Sequence, residues 1–350
     1  MSLYRSVSKF CLTIRQPNNY CRNLSNKNTF KEVAIPVPWG EIRGKWWGPT
    51  ESRPILILHG WQDNCGSFDR LMPLLNNEVG YLAIDLPGHG YSSRLPAGIP
   101  YTITEYLSTI KYVEKYLGWP RVALMGHSLG SAVSFTYTMI YPDKVDFLVC
   151  IDGAKPLVPK VTKNRLTRAL DAFLKNSDLV IENREPPSYT IEEMKRIIHQ
   201  PNDGAVDIDV AHYLMERNIA PSKTQPGKYY FTRDPRLKAE AFTYITQEEI
   251  LYTVRNMKCP IFVAKAKGSH YFEQKENFYE VLDVLKKNIA DFEFNYIEGT
   301  HNVHLNNPEA ELSSLIDTFI SKHNLIDRSV STGIKEDIVV EEIDLLRNKI

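Results

Sequence analysis

Short apolar runs that each stop at a small or acidic turn residue constrain this chain more than any other feature. Pro54-Ile-Leu-Ile-Leu58 ends in His59-Gly60, Tyr81-Leu-Ala-Ile84 in Asp85-Leu-Pro-Gly-His-Gly90, and Arg121-Val-Ala-Leu-Met125 in Gly126-His-Ser-Leu-Gly130. Phe147-Leu-Val-Cys-Ile151 ends at Asp152, and Ile261-Phe-Val-Ala264 and Phe292-Glu-Phe-Asn-Tyr-Ile297 add two more runs. The uninterrupted runs read as buried strands, since an edge or half-exposed strand would alternate as Phe292–Ile297 does. The segments near 67–76, 104–117 and 129–141 have helical spacing. Strand–helix alternation of this kind predicts an α/β fold with a mostly parallel central sheet covered by helices on both faces. Upstream, Val33–Val37 and Ile42–Trp47 flank Pro38-Trp39-Gly40 and read as a hairpin that opens the sheet.

The alternation breaks between about 155 and 257. That stretch is charged, carries eight prolines from Pro156 to Pro235, and has helical patterns near 163–175 and 190–199 without partner strands. It reads as a helical cap inserted between two halves of one core, 31–154 and 258–325. After about 326 the chain is an acidic-rich tail with no role that sequence can assign.

Gly126-His127-Ser128-Leu129-Gly130 is a G-x-S-x-G sequence between a predicted strand and a predicted helix. That context fits a nucleophile on a sharp turn, where neighbouring backbone leaves no room for side chains and the hydroxyl meets the helix N-terminus. A neutral serine needs a base. Of the nine histidines, His301 stands at the end of the last predicted strand, downstream of Ser128, in the chain order such a fold requires. His304 reads as a helix residue instead. The two form an HxxH pair without a third ligand, so no metal and no cofactor is expected. The oxyanion donors are expected to be the backbone N–H groups of Leu129 and Trp61. For the acid that orients the histidine, two residues compete. Asp152 directly follows an apolar strand and precedes Gly153, at the sheet edge where catalytic groups gather. Glu273 lies in Lys265-Ala-Lys-Gly-Ser-His-Tyr-Phe-Glu273, a loop with no Asp, and could equally be a helix-start acid. Asp152 is preferred and Glu273 is the alternative.

These residues resemble the α/β-hydrolase superfamily and, within it, the serine hydrolase-like proteins. The resemblance runs from Val37-Pro-Trp-Gly40 past His304. It rests on His59-Gly-Trp-Gln-Asp-Asn64, Ser67-Phe-Asp-Arg-Leu71, Gly88-His-Gly-Tyr-Ser-Ser93, the Ser128 motif, Arg233-Asp-Pro-Arg-Leu237 and His301-Asn-Val-His304. It implies acyl transfer to water on a small-molecule substrate of undefined identity. Related dehalogenases and epoxide hydrolases use an Asp nucleophile, which Ser128 argues against. Some dehalogenases carry their acid after the strand where Asp152 lies. The alternative reading is a ligand-binding protein that keeps the fold but turns over little.

Acidic and basic residues balance at 42 each, so no nucleic-acid surface is expected. No apolar run of about 18 residues occurs, so no membrane span is expected. Five cysteines in irregular spacing read as reduced thiols in an intracellular protein. The first acidic residue is Glu32. Before it, Leu3, Val7, Phe10, Cys11 and Ile14 line one helix face among Arg5, Lys9, Arg15 and several serines. Residues 1–30 therefore read as a mitochondrial targeting segment, with a basic tail on a cytoplasmic protein as the alternative.

Overall fold

The computed structural model describes residues 30–158, 162–200, 204–239, 245–309, 311–323 and 338–340. Residues 1–29, with Cys11 and Cys21, lie outside them, as does most of the tail.

Nine strands form the central sheet. In chain order they are β1 (Phe30–Val37), β2 (Gly40–Trp47), β3 (Ile55–Leu58), β4 (Tyr81–Ile84), β5 (Val122–His127) and β6 (Val145–Ile151). A pair in the 155–257 segment, β7 (Ile219–Pro221) and β8 (Tyr229–Phe231), forms a separate hairpin. The sheet is completed by β9 (Ile261–Ala266), β10 (Phe292–Ile297) and β11 (Val339–Val340). Their spatial order is β10-β9-β6-β5-β3-β4-β2-β1-β11. The run from β10 to β4 is parallel, and β2, β1 and β11 continue antiparallel. The helices are α1 (Ile103–Leu117), α2 (Leu129–Ile140), α3 (Lys163–Ile181), α4 (Ile191–His199), α5 (Ala211–Asn218), α6 (Gln247–Thr253), α7 (Lys275–Asn288), α8 (Val303–Asn306) and α9 (Leu312–His323).

Each central strand divides its side chains between two cores, which is why the runs are apolar throughout. Val122 and Leu124 of β5 join Ile110 and Val113 of α1 and Leu282 and Leu285 of α7 on one face. Ala123 and Met125 join Phe68 and, from α9, Ile316 and Phe319 on the other. α1 starts at a reciprocal cap, with Thr102 and Glu105 each bonding the other's backbone, and ends at Gly118 with φ 73°.

The expected helix at 67–76 does not form. Two 3₁₀ turns, Cys65–Phe68 and Met72–Leu74, stand there. Pro73 lacks the N–H that an α-helix needs, and the Asn64 side chain instead caps Gly66 N–H. The β7–β8 hairpin was also not expected, because three-residue strands leave no readable alternation. The tail supplies Ile338, fully buried, and β11, which hydrogen-bonds to β1. It thereby pairs a sheet edge that would otherwise present open backbone groups.

The 155–257 segment holds α3 to α6 and is fastened to the core by a buried cation. Arg217 of α5 is fully buried, bonds Asp85 after β4 at 2.8 Å, and pairs with Glu32 of β1. Burial alone would raise the Asp85 carboxyl, yet the charge and hydrogen bonds of Arg217 hold it well below the ordinary range. Cys65, Cys150 and Cys259 are buried free thiols.

Candidate active site

β5 ends at His127 and α2 begins at Leu129, so Ser128 alone makes the turn. Its backbone sits at φ 51° and ψ −112°, a conformation few L-residues adopt. The two glycines of the motif make the turn possible by what they lack. A Cβ on Gly126 would lie 2.3 Å from the Gly130 carbonyl carbon, and one on Gly130 would lie 2.0 Å from the Leu58 carbonyl oxygen. Ser131 fastens the turn from below, donating to the Gly126 carbonyl at 2.6 Å.

The turn after β10 carries His301 to the same place. Its Nε2 is 2.9 Å from Ser128 Oγ, and its Nδ1 is 2.5 Å from Asp152 Oδ2. His127 fixes the loop by bonding the His301 carbonyl through Nε2 at 2.9 Å. Asp152 follows β6 at φ 42° and is itself surrounded by donors. Lys265 Nζ and the Ala266 N–H each reach its Oδ1 at 2.8 Å, and the Ser269 hydroxyl donates to its Oδ2. Burial pushes this carboxyl up, but hydrogen bonding and charge from His301, and then from Lys265, outweigh it. The group is held below its ordinary value and stays anionic.

Lys265 and Ser269 were not singled out in the sequence. Lys265 ends an apolar strand and looks there like a strand-end solvent cation. Ser269 occupies the loop that lacks an Asp. The only signal was negative: a loop expected to hold the acid holds none, so its polar residues must serve an acid elsewhere.

Glu273, the alternative acid, is engaged away from His301. Its side chain is 3% exposed, and its carboxylate accepts from Lys155 Nζ at 2.6 Å and Val158 N–H at 3.0 Å. It ties the loop after β9 to the first residues of the 155–257 segment. It is also not a first-turn acid, because α7 begins at Lys275 after Gln274.

Leu129 is the first residue of α2, so its N–H has no acceptor within the helix. Trp61 stands in the turn after β3, half exposed, with its indole N–H bonded to the Leu237 carbonyl at 2.8 Å. The Phe272 ring, also half exposed, lies edge-on 5.2 Å from His301. Phe272 thus sets an exposed aromatic ring beside the candidate base.

The other histidines of the motifs are internal. His59 bonds the Gly60 carbonyl and accepts from the Leu86 N–H, and His89 bonds the Pro87 carbonyl and accepts from the Gln62 N–H. His304 packs 4.0 Å from His127 and 4.9 Å from Phe68, and burial drives it down to about 3, so it is neutral. Among the described residues no group of three His, Cys, Asp or Glu side chains could hold a metal ion, and no helix is long and apolar enough to cross a membrane.

The chain matches the α/β-hydrolase fold family over residues 53–308. It is 38% identical over 289 residues to a Drosophila melanogaster protein named "Probable serine hydrolase", covering 82% of this chain and 86% of that one. It is 34% identical over 295 residues to a Danio rerio "Serine hydrolase-like protein", covering 83% and 88% respectively. Among solved structures, a hypothetical protein of Pseudomonas aeruginosa PAO1 superposes with a TM-score of 0.69 at 27% identity, covering 83% of this chain and 98% of that one. A thioesterase domain from the curacin biosynthetic pathway has the same fold, with a TM-score of 0.66 at 21% identity. A nine-stranded, mostly parallel sheet, a serine on a strained strand–helix turn and this extent of similarity together make the chain a hydrolase of the α/β-hydrolase superfamily, belonging to its serine hydrolase-like family.

Proposed function

We propose that this hydrolase cleaves an ester-like acyl substrate through Ser128, His301 and Asp152. The observation that carries the reading is the hydrogen-bonded chain from Ser128 Oγ to His301 Nε2, 2.9 Å, and from His301 Nδ1 to Asp152. As Ser128 Oγ bonds the substrate carbonyl carbon, its proton passes to His301 Nε2. The anionic carbonyl oxygen is met by the Leu129 and Trp61 N–H groups. Collapse breaks the bond to the leaving group, which takes the proton from His301 and departs as an alcohol. Water then attacks the acyl-serine, gives a proton to His301, and releases the acid as that proton returns to Ser128. Asp152 keeps Nδ1 protonated and stabilises the imidazolium in each half. The 155–257 segment shapes the pocket over this site as a cap.

A fluorophosphonate probe tests the reading. Wild-type protein is expected to be labelled and Ser128→Ala is not, and esters of graded acyl length then locate the substrate. Equal labelling of both proteins would remove Ser128 from the role. No labelling of the wild type would favour the ligand-binding reading. We further propose that residues 1–30 direct the chain to mitochondria. Their acid-free, Arg- and Ser-containing amphipathic pattern supports this. A fluorescent fusion of residues 1–35 is expected to colocalise with mitochondria, and a diffuse cytosolic signal refutes it.

A further inference from the structure

The Arg233-Asp-Pro-Arg-Leu237 segment contains two arginines in opposite situations. Arg236 is fully buried and saturated: it donates to the carbonyls of Leu95, Pro96 and Ile99 and to Asp234. Asp234, equally buried, also accepts from the Tyr101 hydroxyl at 3.0 Å, and its N–H donates to the Gly88 carbonyl at 2.9 Å. Trp61 bonds the Leu237 carbonyl. The segment is therefore locked onto the core at several points, against the loop that carries Trp61.

Arg233 takes no part in this locking. Among the described residues its guanidinium makes no hydrogen bond and no ion pair. Its guanidinium lies over the Phe231 ring, 4.4 Å from its central carbon to the ring centre. A guanidinium stacked on a ring is positioned by its face and leaves its in-plane N–H donors free for a planar acceptor. Asp63, two residues beyond Trp61, is near enough to interact with it electrostatically but too far for an ion pair. Burial pushes its carboxyl up to about 6, and it is held by the Asn302 amide at 3.3 Å, beside His301. The nearby cations make the imbalance larger. Lys238 is driven down by burial and then by the charges of Arg233 and Lys175, with no acidic neighbour offsetting them. A part-buried cation with no hydrogen bond or ion pair is costly, and this one is within electrostatic reach of Asp63, in the loop expected to donate to the oxyanion.

From this arrangement we infer that the substrate carries an anionic oxygen group, a carboxylate or a phosphate, a few bonds from its scissile carbonyl, and that Arg233 binds it. The inference deepens the proposed function and rests on it for the identity of the scissile bond. Arg233 is a specificity-determining residue here, while Ser128 and His301 do the chemistry.

The test compares mono-4-nitrophenyl glutarate with 4-nitrophenyl pentanoate, which match in size and differ in charge. Wild type is expected to prefer the anionic ester in kcat/KM. Arg233→Gln is expected to lose about 10- to 100-fold on that ester, mainly through KM, as removal of a charged hydrogen bond does. Its rate on the neutral ester should stay within about twofold. Arg233→Lys should recover part of the loss. Calorimetric titration with monomethyl glutarate and with butyl phosphate reads the same site without turnover and separates carboxylate from phosphate recognition. Fluorophosphonate labelling of wild type and variant keeps the two readings distinguishable: absent labelling sinks the serine hydrolase reading, while the titrations still test the anion site. Equal handling of both esters by wild type, an equal loss on both esters in Arg233→Gln, or unchanged binding of both anions by that variant would each overturn the inference.

Discussion

Replacing Asp152 by Asn changes one atom, and the surroundings dictate the consequence. Asp152 Oδ1 accepts from two obligate donors, Lys265 Nζ and the Ala266 N–H, each at 2.8 Å. An asparagine must place its carbonyl oxygen there, because its NH₂ would meet both donors head-on. The NH₂ then takes the position of Oδ2, facing His301 Nδ1 and the Ser269 hydroxyl. An N–H facing Nδ1 requires Nδ1 to be the unprotonated nitrogen, so the proton of the neutral ring moves to Nε2. Nε2 then points a hydrogen at Ser128 Oγ and cannot accept one. The variant is expected to keep its fold and substrate affinity while kcat falls by about 10⁴, the loss this tautomer error causes in serine proteases. At about 1.36 kcal/mol per decade this is roughly 5.4 kcal/mol of transition-state stabilisation. The assay is steady-state hydrolysis of a 4-nitrophenyl ester, with circular dichroism to verify folding. A folded Asp152→Asn protein retaining more than a tenth of wild-type kcat would refute the reasoning.

Glu273→Gln is expected to keep kcat within a few-fold on the same ester but to lower the melting temperature, because Lys155 is left buried and unpaired; a kcat loss matching that of Asp152→Asn would return Glu273 to candidacy as the acid. Arg217→Met strands Asp85 and Glu32 without their shared cation and should cost about 3–5 kcal/mol in urea unfolding; an unchanged midpoint would show that the clamp contributes little. Gly130→Ala drives a methyl group into the Leu58 carbonyl and should lose about 3 kcal/mol, the upper end of the usual overpacking cost, or fail to fold, so a wild-type melting temperature contradicts it. Asp63 titrates near 6 in the folded chain and near 3.9 when unfolded, so its contribution is fully present below about pH 4 and is lost as pH rises to about 6. Asp63→Asn should therefore stabilise the protein by on the order of 2–3 kcal/mol at pH 7.5 and by much less at pH 4.5, and an equal gain at both pH values would rule out this cause.

The primary sequence determined the parts of this protein that depend on neighbours along the chain. The strands around Ser128 were legible because a parallel strand buried on both faces must be apolar throughout, and the glycines of 126–130 because a turn that tight excludes Cβ atoms. His301 was legible from its position after the last strand. The helix expected at 67–76 misled, because its apolar spacing is real but serves two short turns on one core, with Pro73 inside the second. What the tertiary structure alone decided was which distant charges meet. Asp152 and Glu273 are both carboxylates near strand or helix ends, and although the apolar strand before Asp152 and Gly153 after it favour Asp152, local sequence does not show which one meets His301. The fold separates them by bringing Lys265, Ser269 and His301 to one and Lys155 to the other. The same holds for the two arginines of 233–237, identical in type and three residues apart. One finds five acceptors, and the other finds an aromatic face and, among the described residues, no hydrogen-bond acceptor. Local pattern fixes backbone conformation, because sterics and burial act over a few residues. Electrostatic partnership is fixed by packing, because burying a charge is tolerable only where a partner from elsewhere in the chain has been delivered to it.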